Sequence, residues 1–186
     1  FAIGVQGVLG GLRVTEESRA LAMVHGIWGQ LCFCLVAVVA LLTSQSWLRL
    51  GRPIELRSGN AVPRLCLATT AAVFLQLALG AAQRHFSGGH FLVAHVLWAI
   101  AVVFLTGWTV MWVLGLSATP RIMSLLAQSA GLMVMMQLAL GALAWLTTLP
   151  GSGWPRWAEW EIPSAHVGLG ALVLADVMLL TGLAYR

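Results

Sequence analysis

Five uninterrupted apolar runs, about Ala20 to Thr43, Leu65 to Gln83, Phe91 to Leu116, Ile122 to Thr147 and Ser164 to Ala184, occupy most of the chain. Each reaches the roughly 20 residues that an α-helix needs to cross the hydrocarbon core of a bilayer. Lipid offers the backbone no hydrogen bonds, so such runs must satisfy their own peptide groups as helices and then pack as a bundle. A sixth apolar stretch, Phe1 to Val14, is too short to span. It lacks the basic region and cleavage site of a signal peptide and reads as the tail of a helix whose start is missing. The expectation is an all-α, polytopic transmembrane bundle of about six helices, the first truncated.

Composition agrees. Of 186 residues, 60% are hydrophobic and 9% charged, and the mean hydropathy of +0.91 makes the lipid bilayer the solvent of the outer surface. All ten basic residues are arginines, against six acids. That is too sparse for a nucleic-acid surface and suits membrane-flanking loops. Arg49, Arg52 and Arg57 lie between Ser44 and Pro63, with Arg64 at its edge, and Arg121 lies in the next connection on that side. By the positive-inside rule this side is cytoplasmic. The opposite side receives the connections Arg13 to Arg19, Arg84 to His90 and Thr148 to Pro163, the last carrying Trp154, Trp157 and Trp160 as an aromatic cap. Cys32, Cys34 and Cys66 sit within apolar runs without metal-ligand spacing and read as buried thiols.

A repeat runs through the chain. Gln6-Gly7-Val8-Leu9-Gly10-Gly11 recurs as Gln76-Leu77-Ala78-Leu79-Gly80-Ala81 and as Gln137-Leu138-Ala139-Leu140-Gly141-Ala142. Each copy closes one helix near the outer side, and a histidine opens the next: His25, His95 and His166, at separations of 19, 19 and 29 residues. A threefold helical-hairpin repeat predicts a pseudo-symmetric bundle with Gln6, Gln76 and Gln137 at similar depths.

A histidine in a membrane helix is costly unless paired, ligated or facing a cavity. A single one is more often a satisfied core residue; three at one repeat position point to ligation. Their neighbours are small: Gly26 and Gly29, Ala94 and Ala99, Gly168 and Gly170. Small residues let a flat macrocycle approach the backbone, though helix packing uses them equally. Two imidazoles from facing helices supply both axial ligands of a haem iron, and His95 and His166 are the natural pair. Trp28 and Trp98, three residues after their histidines, share the histidine face and serve either a haem edge or the core. Arg13 or Arg84, near His85 and His90, could pair with a haem propionate or stay solvated. Asp176, ten residues beyond His166, reads as an interfacial carboxylate toward the cytoplasmic end, with a proton or electron path as the other reading. No phosphate loop, nucleophile elbow or aspartate-rich prenyltransferase motif occurs.

These segments resemble the haem A synthase family of cytochrome oxidase assembly proteins. The resemblance is carried by Gln6 to Val14, Leu21-Ala22-Met23-Val24-His25-Gly26, Leu75 to Ala81 leading to Arg84-His85, and Ala165-His166-Val167-Gly168. It implies two pseudo-symmetric four-helix halves, of which this chain matches the third to eighth spans. Residues 1–43 would then be the last two helices of the N-terminal half, 44–63 a cytoplasmic linker, and 64–186 the C-terminal half. It also implies haem b on His95 and His166. His25 would be one ligand of a substrate site where haem O has a methyl group oxidised to the formyl of haem A. The first two spans of the family pattern have no counterpart here, nor does the carboxylate-bearing outer loop, so this chain alone is expected to be catalytically incomplete and its catalytic residues stay unassigned. The resemblance implies a multi-pass protein of the bacterial inner membrane. Its protein partners would be haem O synthase or other assembly proteins, an electron donor of unassigned kind, and a second copy of the chain. The rival readings are a bis-histidine b-type cytochrome that only carries electrons and a non-enzymatic haem-handling protein.

Overall fold

The computed structural model describes residues 1–49, 60–86, 88–116, 119–151 and 153–186. Seven helices follow one another: α1 Ala2–Thr15, α2 Arg19–Leu42, α3 Gln45–Arg49, α4 Ala61–His85, α5 Gly89–Gly115, α6 Arg121–Thr147 and α7 Arg156–Ala184. No strand occurs among the described residues. α2, α4, α5, α6 and α7 are long and apolar enough to cross a membrane.

Local chemistry sets the boundaries. Ser18 caps α2, its Oγ accepting from the Leu21 backbone N–H at 3.3 Å. Pro120 and Pro155 directly precede α6 and α7, where a fixed φ and a missing N–H cost nothing. Gly151 and Gly153 turn the chain between these helices at φ +73° and +71°, a backbone region that residues with a Cβ rarely enter.

Two segments differ from expectation. The connection Thr148 to Pro163 is not all outer loop: α7 begins at Arg156 and carries Pro163 inside it. Proline deprives the Glu159 carbonyl of its usual donor. In the next position, Ser164 Oγ donates to the Trp160 carbonyl at 2.7 Å. In the cytoplasmic linker, α3 adds a short helix and α4 already begins at Ala61; residues 50–59 lie outside the described residues.

α4, α5, α6 and α7 close into a ring in which each helix packs on the next and α7 returns to α4. α2 lies against α4 and α7 from outside, and α1 packs on α2. The interior has two layers. The middle layer joins Cys34, Ala72, Val102, Ala130, Val134 and the run Val173, Leu174, Ala175, Val177. The layer toward the Arg49 end joins Leu41, Val62, Cys66, Val113, Met123, Ala127, Leu180 and Leu183. The three histidines therefore share the opposite end of the bundle.

Apolar burial between helices gains little when the solvent is itself apolar, so close packing and interhelical hydrogen bonds hold such a bundle. Val96, Leu97, Ile100 and Phe104 of α5 are each more than half exposed. Between helices, Thr69 pairs with Thr109 at 2.7 Å and Thr70 with Thr181 at 2.9 Å. Each such bond contributes on the order of 0.6 kcal/mol.

Candidate haem site

The repeated segment builds the same seat in each hairpin. A Cβ added at Gly10 would lie 3.1 Å from His25 Cε1, one at Gly80 2.9 Å from His95 Cε1, and one at Gly141 3.0 Å from His166 Cε1. In each case the glycine four residues after the repeat glutamine is the surface on which the imidazole of the following helix rests. The glutamine itself reaches across to the histidine helix. Gln76 Nε2 donates to the His95 carbonyl at 3.0 Å, Gln137 Nε2 donates to the His166 carbonyl at 2.8 Å, and Gln6 Nε2 lies 3.4 Å from His25 Nε2. The amide oxygens of all three glutamines are buried without a hydrogen-bond partner. These contacts hold the glutamines at one end of the bundle, as the repeat predicts.

The glycines beside His25 and His166 fall into two groups. Gly29 and Gly170 face the glutamine amides, 2.8 and 3.1 Å from the position of a Cβ, while Gly26 and Gly168 face open space. Gly29 and Gly170 thus admit the glutamine. The glycines that seat the rings, Gly10, Gly80 and Gly141, were visible in the sequence only as members of the repeat.

The tryptophans clamp their hairpins. Trp28 Nε1 donates to the Ala2 carbonyl at 3.0 Å and Trp98 Nε1 to the Ala72 carbonyl at 2.9 Å. Both bonds span 26 residues, so the first hairpin repeats the second in register from tryptophan to glycine. A buried indole N–H needs such an acceptor, and here the acceptor fixes how far each hairpin's two helices slide.

His95 and His166 come together. Their ring centroids are 6.3 Å apart and their planes stand at 80°. With metal–imidazole bonds of about 2.0 Å and a ring nitrogen about 1.1 Å from its centroid, two imidazoles on opposite sides of one metal have centroids roughly 6.2 Å apart. His95 Nδ1 lies 3.2 Å from the Gln76 carbonyl. The Gln76 side-chain Nε2 also lies 3.2 Å from Nδ1 and 3.3 Å from Nε2. In the tautomer that donates Nδ1–H to the carbonyl, Nε2 carries the lone pair that accepts from this amide or binds a metal. The Gln137 backbone carbonyl lies beside His166, yet His166 Nδ1 has no hydrogen-bond partner. Among the described residues, no group of three or more histidine, cysteine, aspartate or glutamate side chains gathers. Two imidazoles without further ligands suit a metal whose remaining ligands come from a macrocycle, and so fit haem.

His25 keeps the same seat, with Nδ1 unpartnered. The ring contact that joins His95 to His166 has no counterpart at His25 among the described residues. Arg84 and Arg13 both act electrostatically on His85, so basic groups of α1 and α4 gather just beyond the seats. His90 is exposed and stacks its ring on Phe91 at 4.2 Å, away from the paired imidazoles. Asp176 is not interfacial: it is 9% exposed and accepts from Ser129 Oγ at 2.8 Å.

Compared with family models, with curated proteins and with solved structures, the chain matches none.

Proposed function

We propose that the chain is a membrane haem protein of the haem A synthase type, with haem b held between His95 and His166 near the outer face of a bacterial inner membrane. The 6.3 Å, near-perpendicular juxtaposition of these two imidazoles carries the reading. Gly80 and Gly141 seat the rings, Gln76 contacts His95, and both histidines are partly buried in the α4 to α7 ring. Haem b, when bound, supplies reversible one-electron redox chemistry.

His25 is the proposed ligand for haem O as substrate, because its hairpin reproduces the seat of His95 residue for residue: Gln6 for Gln76, Gly10 for Gly80, Trp28 for Trp98. Oxidation of a porphyrin methyl to a formyl removes four electrons from that carbon, and a second haem a short distance away is a suitable relay for them. The second reading, a b-type cytochrome that carries electrons only, is favoured by one observation. Among the described residues, the ring-to-ring contact of His95 with His166 is not repeated at His25.

Acid extraction of haem from the purified protein separates the two. Haem O or haem A recovered beside haem b supports the synthase reading, whereas haem b alone at one equivalent per chain leaves the electron carrier. A protein that retains no haem would end both.

A further inference from the structure

α7 is the most enclosed helix of the bundle, and Val173 to Val177 are buried on every side. Asp176 lies within this run. Its Oδ1 accepts from Ser129 of α6 at 2.8 Å, while its Oδ2 is buried with no hydrogen-bond partner. An ionisable group inside a membrane bundle is expensive, and one carboxylate oxygen left unpaired makes it more so. Helix packing does not need it, since Val, Ala or Ser would fill the same space at lower cost.

Among the described residues no ion pair neutralises the carboxylate. α6 presents the Ser129 hydroxyl, α4 presents Thr70, which donates to the Val177 carbonyl, and α2 presents the buried thiol of Cys34. The arginines and outer histidines of these helices, Arg19, Arg64, Arg84, His85 and Arg121, all lie at or near helix ends. Along its own chain the nearest titratable groups are Tyr185, nine residues away at the end of α7, and His166 and Arg186, each ten residues away, or roughly 15 Å at the helical rise. Of these groups, the centre that His166 and His95 would hold is the one whose charge would change with oxidation state. A ferric haem core with two neutral imidazoles carries one net positive charge, and a ferrous one carries none.

We propose that Asp176 is a redox-linked proton site, a carboxyl that holds its proton more tightly when the haem opposite it is reduced than when it is oxidised. The inference rests on the haem reading above. One electron from a reduced mediator dye takes the iron from ferric to ferrous, and one proton from the medium forms an O–H bond on the Asp176 carboxylate. Loss of a unit charge at roughly 15 Å, with an effective dielectric near 20, changes the proton affinity of the carboxylate about sixfold. The consequence is partial proton uptake by Asp176 on reduction, over the pH range in which the carboxyl titrates.

The test is a redox titration of the full-length, haem-loaded protein across a pH series, with reduced-minus-oxidised infrared difference spectra of the same samples. The wild-type midpoint potential should fall as pH rises, and a protonated-carboxyl band should appear on reduction. In Asp176→Asn the band should vanish and the pH dependence should flatten while the low-spin visible spectrum persists. Asp176→Glu should restore both. A wild-type protein without the carboxyl band, or with the same pH dependence as Asp176→Asn, overturns the proton site and leaves the haem reading standing. Should Asp176→Asn fail to fold, the wild-type band and the Asp176→Glu protein still decide. Absence of any low-spin haem spectrum in the wild type overturns both readings together.

Discussion

His166→Ala is expected to abolish the low-spin haem spectrum. The two imidazoles stand on different hairpins, α4–α5 and α6–α7, and meet only through their rings. Removing one leaves the iron with a single protein ligand and an open face, so the spectrum should become high-spin or the haem should be lost on purification. His95→Ala should do the same, and here Gln76 loses the ring that its carbonyl orients. The effect on the fold should be small, because the four-helix ring is closed by the Thr69–Thr109, Thr70–Thr181 and Ser129–Asp176 bonds, all distant from the seat. His25→Ala should leave the same spectrum unchanged. An unaltered low-spin spectrum in His166→Ala would sink the pairing.

Gly80→Ala should weaken haem binding by roughly 10–100-fold, the range found when groups that orient a metal ligand are altered. A Cβ at this position would lie 2.9 Å from His95 Cε1, closer than the contact tolerates. The ring has little freedom to retreat, since its Nδ1 meets the Gln76 carbonyl and the Gln76 amide bonds the His95 backbone. Helix propensity acts with the opposite sign: alanine in place of a helical glycine stabilises by about 1 kcal/mol. A variant that melts no lower than wild type yet binds haem poorly would therefore separate the seat from the fold. Gly107→Ala, where a Cβ meets nothing within 4 Å, serves as the control. Equal haem affinity in the two variants would show that Gly80 is ordinary helix packing.

Much of the architecture was legible in the sequence, because lipid imposes strong rules. Five apolar runs of spanning length could hardly be anything other than α2, α4, α5, α6 and α7. The glutamine and histidine of each hairpin were marked by the repeat, with the same 19-residue separation in the first two copies and 29 in the third. Seat chemistry was harder to read. Glycine at i+4 from the repeat glutamine looks the same in sequence whether it faces lipid, a helix or a ring, and only the crossing of α4 with α5 shows that Gly80 meets His95. The glycines adjacent to the histidines in sequence were the obvious choice, but helical geometry turns Gly26 and Gly168 outward and gives Gly29 and Gly170 to the glutamines. Proline at 163 suggested a boundary that the helix passes through. Asp176 read as interfacial because distance along one helix says nothing about which neighbours enclose it. α6 and α2 do so here.

The perpendicular ring arrangement offers the most direct test of the central claim. In a ferric bis-imidazole haem the mutual angle of the two ligand planes controls the splitting of the iron d orbitals, and so the anisotropy of the electron paramagnetic resonance spectrum. Rings near the observed 80° should give a single highly anisotropic low-spin signal from the haem-loaded protein, with its low-field feature dominant and no high-spin component. A high-spin signal would contradict bis-histidine ligation by His95 and His166. A rhombic low-spin spectrum of the parallel-plane type would contradict the geometry on which the account rests.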